Sequence, residues 1–144
     1  VEHTLSYLML PSISYSHHPS VLGSHEKFTA INSAIEVGLD GSPNSEWVAG
    51  EIVSGPGGQP DFAMGANYSK GGRSIIAIPS TTKGGKISRI VRELQAGMPS
   101  TLPRYLADVV VTENGVAHLK NRPLSERAKS LRNIADPTFQ KLLR

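Results

Sequence analysis

Two apolar runs dominate the hydrophobic pattern of this chain. One is Ser74-Ile75-Ile76-Ala77-Ile78, bounded by glycines before it and Pro79 after it. A short continuous run between breakers predicts a strand covered on both faces. The other, Ala107-Asp108-Val109-Val110-Val111-Thr112, predicts a second core strand. Shorter strand patterns cover residues 5–10, 28–39, 47–53, 86–91 and 97–102. Helical periodicity marks two other stretches. Residues 59–68 carry Phe62 and Ala66 on one face, with Pro60 and Asp61 suited to a first turn. Residues 123–135 repeat Leu124, Ala128, Leu131 and Ala135 at i, i+4, i+7 and i+11. Asp136-Pro137 then reads as an N-cap and first helical residue, opening a last helix to Leu143. Residues 15–19 read as a polar turn holding His17 and His18, and residues 79–85 as a loop. Strands with few helices predict an α/β or mixed-sheet domain, with no internal linker across residues 1–144.

Composition narrows the class. The chain has 144 residues, enough for one domain with a real core. It has no cysteine, which removes disulfide and thiolate chemistry and suits a reducing compartment such as the cytoplasm. No apolar run approaches the ~20 residues needed to span a bilayer. Residues 1–10 lack the basic start of a signal peptide, and the first residue is not Met, which predicts processing or a truncated piece. The net charge of +3 is unevenly spread: residues 1–60 hold six acids and one base, residues 61–144 fourteen bases and six acids. A basic half suits either a polyanionic partner or a solvated surface. Nucleic acid ranks low as that partner, because Phe62, Tyr68, Tyr105 and Phe139 form no stacking pattern.

The most informative motif is Ser54-Gly55-Pro56-Gly57-Gly58-Gln59-Pro60-Asp61-Phe62, between a predicted strand and a predicted helix. Glycines there let backbone N–H groups approach an anion, and the helix N-terminus adds positive potential. The anion could be a phosphate, a carboxylate or a tetrahedral oxyanion, and an ordinary turn is the competing reading. Neither this loop nor the Lys-Gly-Gly turns at Lys70 and Lys83 match a dinucleotide fingerprint or a P-loop. The five histidines are too scattered for zinc spacing, so no metal is expected. Glu113 follows a core strand and precedes Asn114-Gly115, at the strand end where α/β sheets bind ligands; a turn carboxylate is the alternative.

Several stretches together resemble one family. They are Ala30-Ile31-Asn32-Ser33-Ala34-Ile35-Glu36-Val37, the glycine loop through Phe62, residues 69–81, Lys83-Gly84-Gly85-Lys86-Ile87-Ser88-Arg89-Ile90, Val110-Val111-Thr112-Glu113-Asn114-Gly115-Val116-Ala117 and Leu124-Ser125-Glu126-Arg127-Ala128. In order and over residues 15–144, the chain resembles the C-terminal domain of the acetyl-CoA hydrolase/transferase family, which includes 4-hydroxybutyrate and succinyl-CoA:acetate CoA-transferases. The resemblance implies an open, mixed-sheet α/β domain of the CoA-transferase type, the C-terminal half of a two-domain enzyme. It implies CoA transfer between an acyl-CoA and a small carboxylate. A glutamate attacks the thioester, and an acyl-glutamyl anhydride gives way to a glutamyl–CoA thioester. A carboxylate is a poor nucleophile towards a thioester, so that route needs oxyanion stabilisation and remote CoA binding energy.

Carried over residue by residue, Gly58 matches the glycine whose N–H serves the oxyanion hole, and Gly57 beside it joins the CoA-binding set. Ser54 and Lys83 match CoA contacts, and Asn32 and Ala34 lie in a segment lining the CoA site. Glu113 matches a glutamate that approaches the substrate carboxylate and the nucleophile. His17 stands where many members have asparagine in an Asn-x-Pro turn, and Asn114 replaces a common aromatic. The nucleophilic glutamate of the family lies far upstream of the glycine loop, and none of residues 1–57 fits it. The chain is therefore expected to supply half of an active site and to need an N-terminal domain or subunit. An isolated copy should expose an apolar surface and form homo-oligomers. An acyl-CoA hydrolase, and a non-catalytic CoA- or nucleotide-binding module, are the alternatives.

Overall fold

The structure, a computed structural model, describes residues 9–143. The strand expected over 5–10 falls mostly outside them, and residues 9 and 10 join no strand. In chain order the elements are α1 (Ile13–Ser16), α2 (Pro19–Gly23), β1 (Thr29–Asn32), β2 (Glu36–Gly38), β3 (Pro43–Asn44), β4 (Trp47–Val48), β5 (Glu51–Ile52) and α3 (Gln59–Tyr68). There follow β6 (Arg73–Ala77), β7 (Thr81–Thr82), β8 (Ile87–Ser88), β9 (Ile90–Val91), β10 (Val109–Thr112), β11 (Gly115–His118) and α4 (Leu124–Ile134), with a 3-10 turn at Arg104–Leu106.

The main sheet runs β1-β6-β10-β11. The first three strands are parallel and β11 returns antiparallel, so the sheet is mixed, as the α/β reading requires. Register aligns Ala30 with Ser74, Ile76 with Val110, and Val110 with Ala117, all of them buried. This face carries both long helices: Ala63 of α3 and Leu131 and Ile134 of α4 join Ile76, Val110 and Ala117 in one core cluster. Truncating a side chain as enclosed as Leu131 should cost about 2–5 kcal/mol.

The opposite face is largely open, with Val109 at the start of β10 buried on it. Ile31 is 67% and Val116 52% exposed, and Ala77 between them is exposed too. The expectation that β6 is covered on both faces is thus corrected: Ser74 and Ile76 are buried while Ile75 is only half-buried and Ala77 open. The apolar run reflects residue type on both sides of the pleat, but only alternate residues of β6 are fully buried.

Helix α3 matches the predicted bounds. Gly65 lets α2 cross it closely: a Cβ there would stand 2.5 Å from the Leu22 Cβ. The two α-helices at residues 13–23 replace the polar turn expected over 15–19, and only His17-His18 lies between them.

Three predicted strands divide. Residues 28–39 split into β1, in the main sheet, and β2, which pairs with β3 and β9. Residues 47–53 fold as the β4–β5 hairpin, with Ala49 and Gly50 both at positive φ (53° and 88°), the geometry of a tight two-residue turn. Residues 86–91 divide into β8 and β9 in separate small sheets. No strand forms over 97–102. Residue 136 does cap its own turn, Thr138 N–H donating to Asp136 Oδ1 at 2.9 Å, but residues 137–143 remain in turns rather than a helix.

Candidate active site

The carboxyl ends of the three parallel strands and the first turn of α3 face the same side of the molecule. After α3 the chain reverses at Ser69–Gly72 directly into β6, Arg73 N–H donating to the Phe28 carbonyl. Helix and strand are therefore antiparallel. Ten helical residues rise about 15 Å, and five strand residues about 16 Å. The start of α3 thus returns to the edge where β6 ends. That edge gathers Asn32 at the end of β1, Gly58 before α3, Ser80 beyond β6, and Glu113 beyond β10.

Gly58 is the N-cap of α3, with φ −84° and ψ 1°, and follows Gly57 at φ +55°. A left-handed residue followed by a right-handed one turns successive N–H groups the same way, into an anion-binding concavity. Among the described residues neither N–H has a hydrogen-bond acceptor. A Cβ on Gly57 would meet nothing within 4 Å, so the loop has open space around it. Gly58 is different. A Cβ there would lie 2.8 Å from His17 Cδ2 and 3.0 Å from Nε2. The His17 ring sits on Gly58 and packs edge-on against Phe62, centroids 4.9 Å apart. Its Nδ1 faces Ser16 Oγ at 3.1 Å. Beside it lies a 180 Å³ cleft shared with His18 and Asp61.

Glu113 is exposed, yet its carboxylate is held from one side. Ser80 N–H donates to Oε2 at 2.8 Å and the Ser80 hydroxyl donates to Oε1. Donation from that hydroxyl, then from the N–H, holds the Glu113 carboxyl below the usual glutamate range, against slight desolvation and then the Asp136 carboxylate. Glu113-Asn114 forms the two-residue turn between β10 and β11.

Lys83, at φ 52°, turns the β7–β8 hairpin with Gly84 and Gly85. It lines a 510 Å³ groove with Trp47, Arg89 and Met98. Ala34, buried, reaches that region through its carbonyl, which accepts from Arg89 Nη1 at 3.2 Å. Ser54 is exposed and donates to the Gly55 carbonyl at 2.9 Å. Among the expected residues, His17 lies with Gly57 and Gly58, Glu113 with Ser80, and Lys83 at the groove, while Asn32 ends β1, Ala34 accepts from Arg89 and Ser54 donates to Gly55. Among the described residues no hydrogen bond or ion pair joins Ser54 or Lys83 to His17 or Glu113. Sequence reasoning missed Ser80 as the partner of Glu113, and Arg89 and Trp47 in the groove. Ser80 carried one usable signal, its position just past a core strand ending in proline. Among the described residues no group of three or more His, Cys, Asp or Glu gathers to hold a metal ion. No described helix is long and apolar enough to cross a membrane.

Known proteins are similar to this chain in sequence and in fold. Over residues 3–144 the sequence matches the acetyl-CoA hydrolase/transferase C-terminal domain. A 4-hydroxybutyrate coenzyme A transferase of Clostridium kluyveri is 48% identical over 132 residues, which are 92% of this chain and 31% of that protein. A succinyl-CoA:cyclohexane-1-carboxylate CoA transferase of Geobacter metallireducens is 41% identical over 89% of this chain and 29% of its own length. The crystal structure of RipA from Yersinia pestis superposes with a TM-score of 0.84 at 39% identity, covering 91% of this chain and 29% of that one. The chain therefore spans about three tenths of the length of the relatives it matches. On these matches the chain belongs to the acetyl-CoA hydrolase/transferase family, in its C-terminal domain.

Proposed function

We propose that residues 1–144 form one domain supplying the CoA-binding and oxyanion-stabilising half of an acyl-CoA:carboxylate CoA-transferase. The observation that carries this reading is the Gly57–Gly58 concavity at the start of α3, with open space at Gly57 and N–H groups that have no acceptor among the described residues. A glutamate from outside this chain attacks the thioester carbonyl. The carbonyl oxygen becomes an oxyanion and accepts from the Gly58 N–H, where fixed donors need no reorganisation. CoA leaves as a thiolate, then attacks the glutamyl carbonyl of the anhydride and releases the free acid. The acceptor carboxylate takes the same path in reverse. Lys83, Ser54, Gly57, Asn32 and Ala34 bind CoA. Glu113 and His17 bound the side where the carboxylate reacts.

Ile31 and Val116, exposed on the open sheet face, support an N-terminal partner domain or subunit, because an apolar patch of this kind is usually covered. A homo-oligomer is part of the same proposal, as is a cytoplasmic location, which suits a cysteine-free chain. Hydrolysis is the same chemistry with water as acceptor, and the family's description spans both. The test is acyl-CoA turnover by the enzyme with and without a small carboxylate. Transfer predicts consumption that depends on the acceptor, and Lys83→Ala raising KM for acyl-CoA roughly tenfold. Consumption indifferent to the acceptor would support the hydrolase; an unchanged KM would remove Lys83 from the site.

A further inference from the structure

Ser80 is fully buried and has a single hydroxyl proton, donated to Glu113. What fixes the direction of that proton is a second contact: Asn114 Nδ2 donates to Ser80 Oγ at 3.1 Å. An amide N–H on the serine oxygen occupies one of its lone pairs and leaves its own proton to the carboxylate. Asn114 is itself pinned, because its backbone N–H donates to Thr112 Oγ1 at 3.1 Å. The Thr112 hydroxyl in turn donates to the Ile134 carbonyl at 2.6 Å, tying the turn to the end of α4. An aromatic ring at position 114, as the family resemblance leads one to expect, could make no such donation.

We propose that Asn114, Ser80 and Glu113 form a one-way hydrogen-bond chain in which Asn114 is a positioning residue, directing the Ser80 proton onto Glu113 and fixing that carboxylate at the carboxyl edge. The functional consequence rests on the reading that Glu113 faces the reacting carboxylate. With Oε1 and Oε2 both held from the Ser80 side, the outward lone pairs have one fixed orientation. An ionised, fixed carboxylate repels a misplaced substrate anion and so steers its approach. The Asp136 carboxylate, beyond α4, weakly opposes the charge on Glu113, while Ser80 and Asn114 act on it as neutral donors, direct and relayed.

The experiment is a carbon-detected NMR titration of the Glu113 carboxyl in the protein. Ser80→Ala should shift its midpoint upward most, and Ser80→Thr should restore most of the loss. Asn114→Ala should shift it upward by less. Asn114→Asp should shift it further than Asn114→Ala, because a carboxylate competes for the serine proton and adds like charge. Ser80 is buried and its alanine variant risks misfolding; Asn114 is exposed and keeps the test open. A Glu113 midpoint unmoved by either Asn114 substitution would overturn the chain. The midpoint is read without turnover, so this failure is distinct from a failure of the functional reading. That reading falls if Glu113→Gln leaves turnover intact.

Discussion

Two serine–carboxylate pairs link the segments of β6 and β10, one at each end of the parallel strands. At the amino end Ser74 N–H donates to Asp108 Oδ2 at 3.1 Å; at the carboxyl end Ser80 N–H donates to Glu113 Oε2 at 2.8 Å. The backbone wiring is the same, and the surroundings are opposite. The Asp108 side chain is 1% exposed and meets Lys120 Nζ at 3.3 Å. Its Oδ1 and the Ser74 hydroxyl have no partner among the described residues. Glu113 lies in the open and has no cation partner among the described ion pairs. A buried, cation-paired carboxylate is committed to the fold. An exposed carboxylate held by neutral donors keeps its charge available to a ligand, at the strand end where α/β sheets bind them. On the proposed reading of Glu113, position along the sheet and burial, not residue type, separate the structural acid from the functional one.

Breaking the amino-end pair should have the largest effect. Asp108→Ala leaves the buried Ser74 N–H unpaired and Lys120 without its carboxylate, and should cost about 3 kcal/mol in urea unfolding. Turnover per folded molecule should hold. A loss of turnover without loss of stability would move Asp108 into the site. Glu113→Gln should behave in reverse, lowering turnover roughly a hundredfold while leaving the unfolding midpoint nearly unchanged. The smallest effect is with acid. The folded Glu113 carboxyl sits below its unfolded value, so its contribution is fully present above about pH 4.3 and is lost as pH falls through the folded midpoint. Unfolding followed from pH 6 downward should show that loss shrink in Ser80→Ala; an identical profile would separate Glu113 from Ser80.

The sequence made some of this comparison legible. β6, β10 and α3 were readable because their signals are local: β-branched runs between breakers, and Pro60 with Asp61 in a first turn. The glycine loop was readable as a turn leading into α3, where Gly57 takes a positive φ. The divided strands were not readable, because whether residues 33–35 continue β1 depends on β6 and β9, far along the chain. The hairpin return through β11 was missed although Asn114-Gly115 is a turn signal. Ser80 and Glu113 meet across 33 residues, a pairing set by strand order and register. Nor could the openness of most of the second sheet face be seen, since an apolar run reads alike whether that face is covered or open.

The most direct test of the account is hydrogen–deuterium exchange of the protein with and without an acyl-CoA. Added ligand should slow exchange over residues 54–59, 80–84 and 112–114, and leave Ser74, Asp108 and Lys120 unchanged. Protection centred on the amino-end pair, or none at the carboxyl edge with ligand bound, would contradict it.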